Sequence, residues 1–187
     1  MMKTRSCLFF LSLMSLGFAA PDVNNLLDSA KTQYKNGEIR AALESVDQAK
    51  LMLFQAAPLA LENFQLVKEP STAYGVYQTR ESNVFKTGDT IYIYCEPIGY
   101  TIKEEGENYN FKLTTDFSIS DDKNNVLARQ EDFANFGLDS HEPNTELMLN
   151  INYKFTGAEP GTYFLQTTVR DQYSDKRTSK TIVVKFE

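Results

Sequence analysis

The chain has no tryptophan, one histidine (His141), only two cysteines, and no apolar run near the ~20 residues a helix needs to cross a bilayer. Each shortage excludes something. A single histidine rules out chemistry that needs two, as most zinc sites do. The nine glycines are scattered singly, so no Gly-rich loop is available to cradle a phosphate. No Gly-x-Ser-x-Gly elbow occurs. The stretch Asp139-Ser140-His141-Glu142 puts Ser beside His, but a catalytic triad is assembled across a fold, and this stretch reads as an exposed loop.

What is present begins with an export pattern. Lys3 and Arg5 precede the apolar run Cys7-Leu8-Phe9-Phe10-Leu11-Ser12-Leu13-Met14-Ser15-Leu16, and small residues follow at Gly17, Ala19 and Ala20. That order marks a secretory signal peptide cleaved near Ala19. Cys7 lies at the start of the run and cannot be a lipoprotein's acylated cysteine. The whole chain has 19 Lys+Arg against 25 Asp+Glu; without Lys3 and Arg5 the balance is 17 against 25, a net charge of −8. Such a surface repels nucleic acid and anionic lipid. One cysteine, Cys95, then remains, and no internal disulfide can form although the compartment would permit one. Cys95 shares a strand face with Ile91 and Ile93, so a buried inert thiol is expected.

From Pro21 the apolar period is that of helices. Val23, Leu26, Leu27, Ala30 and Tyr34 recur at steps of three and four, and Asn36-Gly37 ends the run. Ile39, Ala42, Leu43, Val46, Ala49 and Leu53 make a second helical stripe that stops near Ala56-Ala57-Pro58. With Ala30 before it and Ala49 after, Tyr34-Lys35-Asn36-Gly37-Glu38-Ile39-Arg40-Ala41-Ala42-Leu43 resembles one tetratricopeptide-type unit over about thirty residues, with no second copy. A lone hairpin cannot bury its own apolar face, so it must dock on the rest of the chain or on another protein. The short connection to the following region favours docking within the chain.

Beyond about Phe64 the period changes to two. Phe111, Leu113, Thr115, Phe117 and Ile119 alternate with polar residues, as do Leu147 to Phe155, Tyr163 to Val169 and Ile182 to Phe186. One apolar and one polar face is the antiparallel signature. Turns are expected at Thr87-Gly88-Asp89, Glu159-Pro160-Gly161, Ser174-Asp175-Lys176 and Asp121-Asp122-Lys123-Asn124-Asn125. In the last of these, Lys123 interrupts any calcium-ligand alternation, and a hairpin using Asn in left-handed geometry fits better. With runs near Phe64, Ile91 and Val126 as well, about seven strands at this spacing predict a β-sandwich. The stretch Pro160-Gly161-Thr162-Tyr163-Phe164-Leu165 places a tyrosine at the start of the penultimate strand. This resembles immunoglobulin-like domains, in which such a tyrosine ties its hydroxyl back to the preceding loop. The resemblance puts Leu165 in the place of the second core cysteine and Cys95 on an earlier strand, with apolar packing in place of the bridge. Tyr74 to Tyr100, with Pro143-Asn144-Thr145-Glu146 and the last hairpin, is also similar to uncharacterised exported bacterial proteins, which implies a fold and no chemistry. The expected organisation is a signal peptide over 1–19, a helical hairpin over 20–58 and an immunoglobulin-like β-sandwich domain over 59–187, mainly β overall.

Candidate binding residues follow from that frame. Tyr92 and Tyr94 alternate with Ile91 and Ile93 and should share the opposite face, with Tyr77 upstream and Tyr100 downstream. An open tyrosine face could stack on sugar rings or hold a protein, unless the helical hairpin covers it. Arg80 and Glu96 lie near strand ends beside it, but no spacing fixes two carboxylates on one site as a glycosidase needs, and Arg170-Asp171 reads as a strand terminus. These patterns point to a non-enzymatic exported module, without cofactor or metal, that binds another periplasmic or cell-surface protein. The alternative is a carbohydrate-binding or glycan-active protein using the tyrosine face.

Overall fold

A computed structural model describes residues 22–187. The signal peptide and its cleavage near Ala19 therefore lie outside the described residues. α1 (Val23–Lys35) starts where the Asp22 carboxylate accepts the Asn25 N–H at 2.9 Å, an N-cap that satisfies one of the free donors of the first turn. It ends at Asn36-Gly37, where Gly37 takes the left-handed conformation at φ 81°. α2 (Ile39–Ala56) runs back. The described chain forms two compact units, one ending at Val46 and one spanning Asp47–Glu187, with the boundary inside α2.

In the first unit the helices meet through small or short residues. Leu26, Ala30, Ala42 and Ser45 are buried, and the Ser45 hydroxyl and Gln33 amide share a 2.9 Å hydrogen bond. In the second unit the last turns of α2 pack on the strands. Leu51 and Phe54 rest against the apolar core, and the Phe54 ring meets Tyr100 edge-on with centroids 4.9 Å apart.

Nine strands follow: β1 (Ala60–Val67), β2 (Val84–Phe85), β3 (Thr90–Ile98), β4 (Lys103–Glu105), β5 (Asn108–Asp121), β6 (Val126–Ser140), β7 (Leu149–Lys154), β8 (Gly161–Asp171) and β9 (Arg177–Phe186). One sheet has the order β1-β3-β7; the other runs β2-β9-β8-β5, with both β4 and β6 paired to β5. All pairings are antiparallel except β2 with β9. The fold is an immunoglobulin-like sandwich preceded by an αα-hairpin.

The count exceeds the expected seven for local reasons. β2 and β4 have two and three residues, too few to display a period. β6, already among the expected seven as the run near Val126, has 15 residues, pairs among the described residues with β5 alone, and is exposed along most of its length. Asp139 and Ser140 consequently belong to β6 rather than to a loop, and His141 and Glu142 follow its end.

Ile91, Ile93 and Cys95 of β3, Leu149, Ile151 and Tyr153 of β7, Leu165 and Val169 of β8 and Val184 of β9 fill the space between the sheets. Cys95 and Leu165 are both fully buried. Burial, with the nearby Glu96 charge adding to it, pushes the Cys95 thiol up to about 12. A second polar group crosses the core: the Tyr153 hydroxyl and Thr167 Oγ1 lie 2.8 Å apart, linking one sheet to the other. Burial, the larger cause, outweighs that bond and carries the Tyr153 hydroxyl up to about 12. At the start of β8, the Tyr163 hydroxyl donates to the Glu159 carbonyl at 2.7 Å.

Candidate binding surfaces

The tyrosines around β3 do not form an open platform. Tyr94 and Tyr100 are fully buried, while Tyr92 and Tyr77 are partly covered. Nor is the cover the helical hairpin alone. The chain leaving β1 folds back on itself, with Lys68 N–H donating to the Gln78 carbonyl and Arg80 N–H to that of Leu66, both at 2.9 Å. Asn150 of β7 clamps this segment through both backbone groups of Ser71 at 2.8 Å. Its tip lies on Tyr94: the Gly75 N–H donates to the Tyr94 hydroxyl at 2.8 Å, and the Tyr77 ring packs at 4.4 Å between centroids. Tyr100 is closed off differently, by Phe54 of α2 and by Phe111, and its hydroxyl donates to the Asn144 carbonyl at 2.6 Å.

The charged candidates are tied up in the same region. Glu96 is buried, and its carboxylate accepts from the Tyr94 hydroxyl and, at 2.7 Å, from the Asn63 amide. Asn63 itself stands at φ 48° where β1 bulges against β3, which is what turns its side chain toward Glu96. Burial first, and then the bond to Glu96, hold the Tyr94 hydroxyl above its ordinary 10. The Arg80 guanidinium donates to the Ser82 and Val84 carbonyls and lies 4.4 Å over the Phe85 ring. These residues bring together a folded cover and its anchors, and a ligand would have to displace that cover to reach Tyr94. Sequence spacing did place Tyr92 and Tyr94 on one face. It held no sign that residues 68–80, without a period of their own, would close it.

On the larger sheet a polar cleft of about 510 Å³ is lined by Asp116, Arg129, Glu131, Gln166, Arg170 and Arg177 among others. Its charges are largely paired within the fold. Arg170 donates to both carboxylate oxygens of Asp116 at 2.8 Å and to Asp132 at 2.6 Å, and Arg129 pairs with Glu131.

A surface of different character lies in the first unit. Leu27, Tyr34, Ile39, Leu43 and Val46 are exposed, Tyr34 at 70% and Leu43 at 60%. The apolar stripes read from the sequence as single faces are in fact divided. On each helix the exposed residues sit about a quarter turn from the buried ones at ~100° per residue. They are displaced in the same rotational sense on both. Because the two helices run antiparallel, equal sense puts both sets on the same side of the hairpin, where they form one apolar face. No single residue in it is unusual, since lone exposed leucines are common; the grouping is what sets the face apart.

No protein-family model matches the chain, and no curated protein matches it. Among solved structures it is similar to the sporulation control protein Spo0M of Bacillus subtilis, at 8% identity and a TM-score of 0.35, over 70% of this chain and 50% of that one. It is also similar to a conjugative transposon lipoprotein of Bacteroides eggerthii, at 13% identity and a TM-score of 0.33, over 68% and 96% of the two chains. A third likeness is to the alkylpurine DNA glycosylase AlkC of Pseudomonas fluorescens, at 12% identity and a TM-score of 0.37, over 88% and 46%. The chain spans about half the length of the first and the third. Likeness this loose says nothing of function.

Proposed function

We propose that this protein is a non-enzymatic, exported protein-binding module. The sandwich is the mount and the apolar side of the hairpin is the contact surface. The partner is another protein of the periplasm or cell surface. The observation that carries this reading is the exposure of Leu27, Tyr34, Ile39, Leu43 and Val46, which helix geometry puts on one side of the two helices. Export is supported by the order of charge, apolar run and small residues over positions 3–20. Among the described residues no helix is long and apolar enough to cross a membrane. A non-catalytic role is supported by how the buried carboxylates are used. Glu96 accepts from Tyr94 and Asn63, and Asp171 accepts from the Thr101 and Tyr173 N–H groups and the Ser174 hydroxyl, so both are committed to holding backbone and loops.

The test is crosslinking in living cells with a photoreactive residue at Leu43 and, as control, at Asn124 in the β5–β6 turn. Discrete protein adducts are expected at position 43 and not at 124, and they should disappear when Ile39→Glu is added. An exported, folded protein that gives no adduct at position 43 would rule out the hairpin as a contact surface.

A further inference from the structure

Building on the hairpin as contact surface, we propose that its occupant is a second copy of this chain. Two hairpins would pack about a two-fold axis with α2 antiparallel to α2, crossing at Leu43. Three observations favour a copy over an unrelated partner.

The first is area. At their fractional exposures the five residues present roughly 500 Å² of apolar surface, near the top of what a monomer carries. Two such patches face to face bury at most about 1,000 Å², which reaches the lower threshold for a specific interface. The second is charge balance. Residues 22–46 carry Asp22, Asp28, Glu38 and Glu44 against Lys31, Lys35 and Arg40, a net charge of −1. Residues 47–187 carry 21 acidic against 14 basic residues, a net charge of −7. The chain's self-repulsion is thus concentrated in the β region, and hairpin contact is the arrangement that least opposes association of like molecules.

The third is register. Arg40 and Asp47 lie on the same flank of the α2 stripe, three residues before Leu43 and four after it. An antiparallel crossing at Leu43 sets Arg40 of one copy beside Asp47 of the other, and the two-fold repeats the pair. Among the described residues of the single chain Arg40 is held only by an exposed pair with Glu44 at 3.1 Å, its side chain 94% accessible, and such a pair contributes little. Rim pairs of this kind set orientation more than affinity. The stripe supplies the affinity, and the Arg40–Asp47 pairs select the antiparallel register.

Sedimentation velocity of the mature chain from micromolar to submillimolar concentration tests the proposal, together with the mass of the adduct at position 43. A concentration-dependent dimer is expected, with an adduct of twice the chain mass. Leu43→Glu should weaken the dimer at least about tenfold with circular dichroism unchanged. Arg40→Asp and Asp47→Arg should each weaken it, and the two reversals together should restore it, because only a facing pair responds that way. A monomer at every concentration, a dimer indifferent to Leu43→Glu, or no recovery in the double reversal would each overturn self-pairing. A monomer whose position-43 adduct has the mass of a different protein would also overturn it, while leaving the contact surface in place. Absence of any adduct would remove both.

Discussion

Asp116 and Arg170 show how much one pair of side chains organises on the larger sheet. The two parallel bonds at 2.8 Å join neighbouring strands β5 and β8, and Asp132 at the β6 bulge, at φ 53°, is drawn in both by Arg170 and by its own N–H donating to Asp116 at 2.9 Å. Burial raises the Asp116 carboxyl, but the bonds from Arg170 and the Asp132 N–H together outweigh it and leave the group below its ordinary 3.8. A carboxylate depressed by folding contributes stability that is complete above that ordinary value and is lost as pH falls through the lowered one. Asp116→Asn should therefore cost about 1 kcal/mol at neutral pH, the partial exposure of Arg170 limiting it. In urea unfolding the gap between wild type and variant should narrow below about pH 4. A gap that stays constant down to the acid limit would remove Asp116 as the source. Nothing near Asp116 in the sequence announced this, because its partners are 16 and 54 residues away.

At the scale of elements, one lysine side chain adds to the packing of Leu51 and Phe54 in joining the end of α2 to the sandwich. Lys176, in the β8–β9 turn, donates to the carbonyls of Gln55, Ala57 and Gly99 at 2.6, 2.9 and 2.8 Å. A cation at the last turn of a helix is also where the helix dipole favours one. Gly99 must be glycine: it sits at φ 77°, and a Cβ there would collide with the Pro58 carbonyl oxygen. Lys176→Met keeps the apolar stem and removes all three bonds, leaving carbonyls without their donor. It should lower unfolding free energy by about 2 kcal/mol, read from chemical denaturation. A loss within error of zero would mean water satisfies those carbonyls equally well. The turn at Ser174-Asp175-Lys176 was legible as a turn, since turn chemistry is local. That its lysine would reach the end of a helix more than a hundred residues earlier was not.

Across the whole molecule, apolar burial is uneven. In the unit ending at Val46 only Leu26, Ala30, Ala42 and Ser45 are buried among the described residues, whereas Asp47–Glu187 holds the apolar core between two sheets. Local opening follows buried contacts, so amides of α1 and of the first turns of α2 should exchange with solvent through low-energy openings. Those of β3, β5 and β8 should exchange only on global unfolding. Native-state hydrogen exchange at graded denaturant checks this, and a single common protection energy for both regions would contradict it. A contact surface on the less protected unit is where partner binding would register most strongly, as added protection of α1 and α2.

The alternations, the turns and the tyrosine at position 163 are properties of a residue and its near neighbours, and the sequence alone determined them. It was enough to identify a helical pair followed by an immunoglobulin-like sandwich. Which half of each helical stripe is buried, how residues 68–80 come to cover Tyr94, and where β6 pairs were decided only in three dimensions. Solvent exposure is set by what packs against a residue, and at these positions the packing partner lies far along the chain.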